Sequence, residues 1–134
     1  MGGQFYFNTT GATTMTTTDM MVRDNDTGRV CKYENYQMDM AAGDTHADIT
    51  VNGRYYDPDY GYVDLETTTA FMTRYGDPYP AIGRLVLTGE KGAGGGSTTA
   101  RLTALSGNQC QVEADTDGDG VYEYDSGAIP WTDL

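Results

Sequence analysis

Asp115, Asp117 and Asp119 alternate along the chain, Gly120 follows, and Glu123 lies four residues beyond Asp119. Hard oxygen donors at this spacing suit a divalent cation, because calcium takes six to eight oxygens at flexible geometry. The Val121 carbonyl falls where a backbone ligand would complete such a shell. The same residues also suit an ordinary turn. Asp117-Gly118 and Asp119-Gly120 are consecutive Asp-Gly pairs, the residues favoured where the backbone must take positive φ. Three carboxylates so close repel one another unless a cation lies between them, which favours the metal reading, with calcium as the ion.

Counted from Asp115 as position 1, the stretch follows the start of an EF-hand loop, with glycine at position 6. Position 12 is Ser126, where that loop needs a bidentate Glu, and no helix is expected on either side. Over about a dozen residues the segment resembles instead the short DxDxDG calcium loops of FG-GAP blades, dockerins and thrombospondin type 3 repeats. The resemblance implies that Asp115, Asp117 and Asp119 hold calcium, with the Val121 carbonyl and Glu123 completing the shell. The site would then be structural, stiffening a hairpin.

The elements that must position this loop are strands. Ala47, Ile49 and Val51 alternate with Asp48 and Thr50, which marks a half-buried strand. Leu85 and Leu87 share one face, as do Leu102 and Ala104, and Cys110, Val112 and Ala114 lead into the acidic loop in the same way. Met38 and Met40 keep the same period and read as core. Asn25-Asp26-Thr27-Gly28 reads as a hairpin turn, Asn52-Gly53 as a second, Ser106-Gly107-Asn108 as a third, and Gly92 to Gly96 as a flexible connection. No helical period occurs. The pattern predicts an all-β domain, an antiparallel β-sandwich or barrel built largely from consecutive hairpins, with Trp131 plugging a barrel end or sandwich edge. Residues 1–18 form an N-terminal strand and Thr-rich arm, and residues 19–134 a single all-β domain.

Ile, Leu, Val and Phe make up about 14% of the chain, below the ~20% at which high charge suggests disorder. The 11 Tyr and 7 Met supply the missing apolar area. The net charge of −12 argues against nucleic acid, which needs clustered Lys and Arg. No apolar run reaches the ~20 residues of a membrane span. Scarce Lys with abundant Thr, Asp, Gly and Tyr fits an exported bacterial protein, secreted or at the cell surface, with the periplasm as the other compartment such a composition allows.

Cys31 and Cys110 each fall on an inward strand face, where a cross-core disulfide would need them. Closing that loop would stabilise by roughly 4.5 kcal/mol in the chain-entropy model. The alternative is a pair of buried thiols acting as small hydrophobes.

Three functions follow from these residues. The first is a non-catalytic structural or interaction module, stiffened by calcium and assembling with a protein partner or with itself through the N-terminal arm, Gln4 to Thr18, by strand addition. The second is a carbohydrate-binding module, a glycan partner being held by two Tyr-rich turns that carry Tyr56, Asp57, Asp59 and Tyr60 in one and Tyr75 and Tyr79 in the other. Half-buried strand packing and ordinary turn chemistry account for the same rings without a ligand. The third, an enzyme, is not expected: His46 is the single histidine and no Ser or Cys motif accompanies it.

Overall fold

The computed structural model describes the backbone of residues 2–7 and 12–134 and the side chains from Asp19 onward. Alternation of apolar and polar residues makes strands, and turn residues at short intervals make each strand pair with the next. Eight strands run in chain order: β1 (Gly2–Phe7), β2 (Ala12–Arg23), β3 (Val30–Ala42), β4 (His46–Asp57), β5 (Gly61–Arg74), β6 (Ile82–Lys91), β7 (Ser97–Leu105) and β8 (Gln109–Asp115). They form one antiparallel sheet in the order β1 to β8. Two short strands, β9 (Tyr124–Asp125) and β10 (Ile129–Pro130), pair with the outer edge of β8. Residue 18 lies inside β2, which pairs with β3 from Ala12 to Arg23. Asn8 to Gly11 of the Thr-rich segment lie outside the described residues.

The all-β architecture from consecutive hairpins is as the alternation predicts. The sandwich or barrel is not: the sheet is single and open. β1 and β8 end on opposite sides of it, and no second layer is supplied by the described residues. The alternation demands that one face be covered but does not say by what.

Cross-strand partners point to the same face, and the register separates the two faces cleanly. One row runs Gly53, Leu65, Leu87, Ala100, Ala114. A parallel row runs Thr67, Leu85, Leu102, Val112, and another Met20, Tyr33, Tyr55, Val63. The opposite face carries Asp19, Glu34, Arg54, Asp64, Thr88, Thr99 and Asp115 in one continuous row. There Arg54 binds Asp64 at 2.7 Å and lies 4.2 Å over the Tyr62 ring, and Arg101 pairs with Glu113. Among the described residues only Ala104 and Cys110 are buried apolar side chains. The face predicted as core is therefore apolar but uncovered.

Two sequence expectations fail for the same reason. Asn52-Gly53 is not a hairpin turn but lies in the middle of β4. Gly53, at φ 137°, faces a bulge at Asn35–Tyr36, and a Cβ there would sit 2.6 Å from Tyr36 Cα. The glycine serves close backbone approach, which local turn preference cannot distinguish from a reversal. The disulfide is absent: both cysteines are free. Cys31 is on β3 and Cys110 on β8, five strand spacings or about 24 Å apart, against a limit near 7 Å for a bridge. Facing the same side of a sheet does not bring two thiols together.

Candidate metal centre

The acidic loop leaves β8 at Asp115 and returns at β9, closing a hairpin in which Ala114 pairs with Tyr124 and Glu113 with Asp125. Asp115 is 3% exposed and anchors the loop. Its Oδ1 accepts the Gly118 N–H at 2.7 Å and its Oδ2 the Gly120 N–H at 2.9 Å. Both glycines take positive φ, 77° and 91°, as the Asp-Gly pairs predict. Asp117 Oδ1 accepts the Asp119 N–H and Asp119 Oδ1 the Val121 N–H, each an Asx turn two residues long. Glu123 Oε2 accepts both the N–H and the hydroxyl of Thr116, which draws it back over the start of the loop.

These local bonds converge the side chains. Carboxylate oxygens of Asp115, Asp117, Asp119 and Glu123 lie within 4.8 Å of one another. The four acidic residues singled out from sequence are thus brought together, and such a cluster can hold a metal ion. Val121, the fifth, lies between Asp119 and Glu123 and is exposed, with its N–H committed to Asp119. The donors fit a hard cation: four carboxylates, each keeping lone pairs beyond those taken by the loop's N–H groups.

Sequence reasoning missed the loop's second wall. The stretch Gly92–Gly96, expected to be a flexible connection, is a backbone clasp on the acidic loop. Gly94 N–H donates to the Asp117 carbonyl at 2.6 Å and Gly96 N–H to the Gly118 carbonyl at 2.9 Å. A Cβ at Gly92 would fall 2.1 Å from the Asp117 carbonyl oxygen, and one at Gly94 2.8 Å from Asp119 N. Only glycines let the two loops meet. A run of four glycines among five residues, 92–96, was the available signal.

The two Tyr-rich turns lie apart and do not form one platform. Tyr56, Asp57, Asp59 and Tyr60 sit at the β4–β5 turn, while Tyr75 and Tyr79 sit in the β5–β6 connection. The 14 residues of β5 separate them, a span of roughly 45 Å. Asp57 and Asp59 are taken up by Arg29, at 2.8 and 3.1 Å. Tyr60 is 86% exposed, Tyr75 donates to the Gly43 carbonyl, and Tyr79 stacks on Trp131 at 5.9 Å. Trp131 therefore packs beside the β5–β6 connection and plugs no barrel.

Beside Arg29, the Tyr55 hydroxyl donates to Cys31 Sγ at 3.1 Å. That bond, with partial burial, pushes the Tyr55 phenol up to about 12. The Asp57 carboxyl is held below the usual carboxylate range, first by the Asp59 N–H and then by the Arg29 guanidinium.

Compared with protein-family models, curated proteins and solved structures, the chain finds no match.

Proposed function

We propose that the protein is a non-catalytic structural or interaction module, exported from a bacterial cell to its surface, surroundings or periplasm, and stiffened by calcium at its late hairpin loop. The convergence of four carboxylates within 4.8 Å supports this reading. Calcium is the ion of choice because the donors are all oxygens on a short loop, and calcium tolerates irregular coordination where magnesium demands a near-ideal octahedron. The ion's two positive charges, placed among four neighbouring carboxylates, would relieve their repulsion, hold the acidic loop against its glycine clasp and so tie β6, β7 and β8 together. Assembly uses the outer edge of β1, whose backbone has a partner on one side only among the described residues. Strand addition to such an edge is a general mode of joining sheets.

The test is thermal melting with calcium and with EDTA, alongside isothermal titration. Saturating calcium at ~100 times its Kd stabilises by about 2.7 kcal/mol, a rise of several degrees in Tm, and Asp119→Asn with Glu123→Gln abolishes the rise. Identical melting curves in millimolar calcium and in EDTA would overturn the ion claim.

A further inference from the structure

The apolar face of the sheet has the area, charge pattern and relief of half an interface. The whole chain exposes 8498 Å² for 14.5 kDa, whereas a compact monomer of that mass exposes about 6,900 Å². The excess, about 1,600 Å², matches an uncovered layer. Seven strands of about ten residues present roughly 1,000 Å² on one face, more than the ~800 Å² each partner buries in a standard interface. Asp57 at the end of β4 shares this face but is paired with Arg29 inside the chain, so the occupant must accept a surface that is otherwise apolar. Glu34, Arg54, Asp64, Arg101 and Glu113 all lie on the other face, so a second copy at net charge −12 would stack without burying them.

Relief then selects how the copies meet. On β3 and β4, Tyr33 packs against Tyr36 and Tyr55 with ring centroids 5.3 and 5.1 Å apart, forming a ridge. On β5 to β8 the same face sinks into a hollow of about 360 Å³ floored by Val63, Leu87, Gly89, Ala100 and Ala114. Tyr55 is the cross-strand partner of Val63, so ridge and hollow lie at the same level along the strands. A two-fold axis parallel to the strands, near β5 and β6, preserves that level and exchanges the two halves. It sets the ridge of each copy into the hollow of the other, and this self-complementarity is what a two-fold interface requires.

We propose that two copies of this chain pack face to face in this way, each supplying the layer the other lacks, as an aligned β-sandwich made from two chains. The proposal does not depend on the calcium reading. It deepens the self-assembly reading by naming a closed contact distinct from the open β1 edge.

Sedimentation velocity on the full chain over a concentration series tests it, in EDTA so that the ion plays no part. The expected result is a species of twice the chain mass that does not grow further. Leu87→Lys, on the apolar face, weakens the dimer at least 100-fold, while Val86→Lys, its neighbour on the polar face, leaves it intact. Should Leu87→Lys lose its far-ultraviolet circular dichroism, Ala100→Phe serves instead, since it fills the hollow without adding charge. Tyr33→Cys with Ala100→Cys, in a background of Cys31→Ser and Cys110→Ala, forms a covalent dimer on oxidation. Those two positions lie on β3 and β7, about 19 Å apart within one chain, so the bond joins two copies. A monomer at millimolar concentration overturns the proposal. So does a mass that climbs without limit and ignores Leu87→Lys, which would leave edge addition alone. So does a chain that is monomeric until it binds neutral phosphatidylcholine vesicles, which would make the face a lipid contact.

Discussion

The two ends of the sheet are held by different parts of the residue. At the loop end of β6 to β8 the backbone makes the contacts: the glycine run meets the acidic loop through N–H to carbonyl bonds, and Asp115 ties two further N–H groups. From β2 to β5 the strands are longer, and side chains make the contacts. Lys32 bridges Asp19 and Glu34, Arg54 binds Asp64, and tyrosines pack ring on ring. Backbone contacts fix a geometry, because a missing Cβ leaves one close approach and no rotamers to search. Ion pairs on an open face fix little, because water competes for every partner. The acidic loop is therefore preorganised by its surroundings, whereas the tyrosine ridge lies on a face that the described residues leave open.

The sharpest way to break this contrast is at Asp115. Asp115→Ala leaves the Gly118 and Gly120 N–H groups without their acceptor, and is expected to cost about 2–5 kcal/mol in urea unfolding, together with any calcium response. Next in size is Gly94→Ala, whose Cβ meets backbone rather than a yielding side-chain end. It is expected to cost about 2 kcal/mol, and hydrogen exchange would rise at Asp117 to Gly120. Gly95→Ala is its control: nothing lies within 4 Å of that Cβ, so only the φ of 96° is penalised, at about 1 kcal/mol. A loss for Gly95→Ala equal to that for Gly94→Ala would mean the clasp carries no weight.

On the other side of the comparison, Asp64→Asn is expected to cost less than about 1 kcal/mol, because its pair with Arg54 faces solvent. The pH profile sharpens the same point. The Arg54 guanidinium holds the Asp64 carboxyl below its ordinary range, and Arg101 does so for Glu113. A depressed carboxyl contributes stability that is present above its unfolded value, about 4, and lost as pH falls through the lower folded value. Stability should therefore be flat from neutrality to about pH 4 and then decline. Arg54→Met should flatten the part of that decline owed to Asp64. An unchanged acid limb would show that the pair contributes nothing.

The carboxylate cluster was legible because the hydrogen bonds its side chains accept reach at most seven residues along the chain, so the spacing of Asp, Gly and Glu nearly encodes them. The turn from Asp24 to Arg29 was legible for the same reason: Asp24 Oδ1 accepts the Asp26 N–H and Gly28 takes positive φ. Inward faces were legible too, since Leu65, Leu87, Leu85, Leu102 and Cys110 all fall where period two puts them. Glycine was the residue most often misread. Gly53 and the 92–96 run look like reversal and slack, yet both mark places where another strand or loop presses against the backbone. Nothing local separates those roles.

What the amino-acid order determined alone is therefore the set of short-range decisions: strand or turn, which side chains share a face, and a loop that gathers four carboxylates. What only the tertiary structure decided is which strands are neighbours and whether the sheet closes. It put Cys31 and Cys110 five strands apart, split the tyrosine turns between opposite ends of β5, and left an apolar face open. The reason is range. A two-residue period encodes which way a side chain points but carries no term for distance across strands, and closure depends on small twists summed over every pair in the sheet.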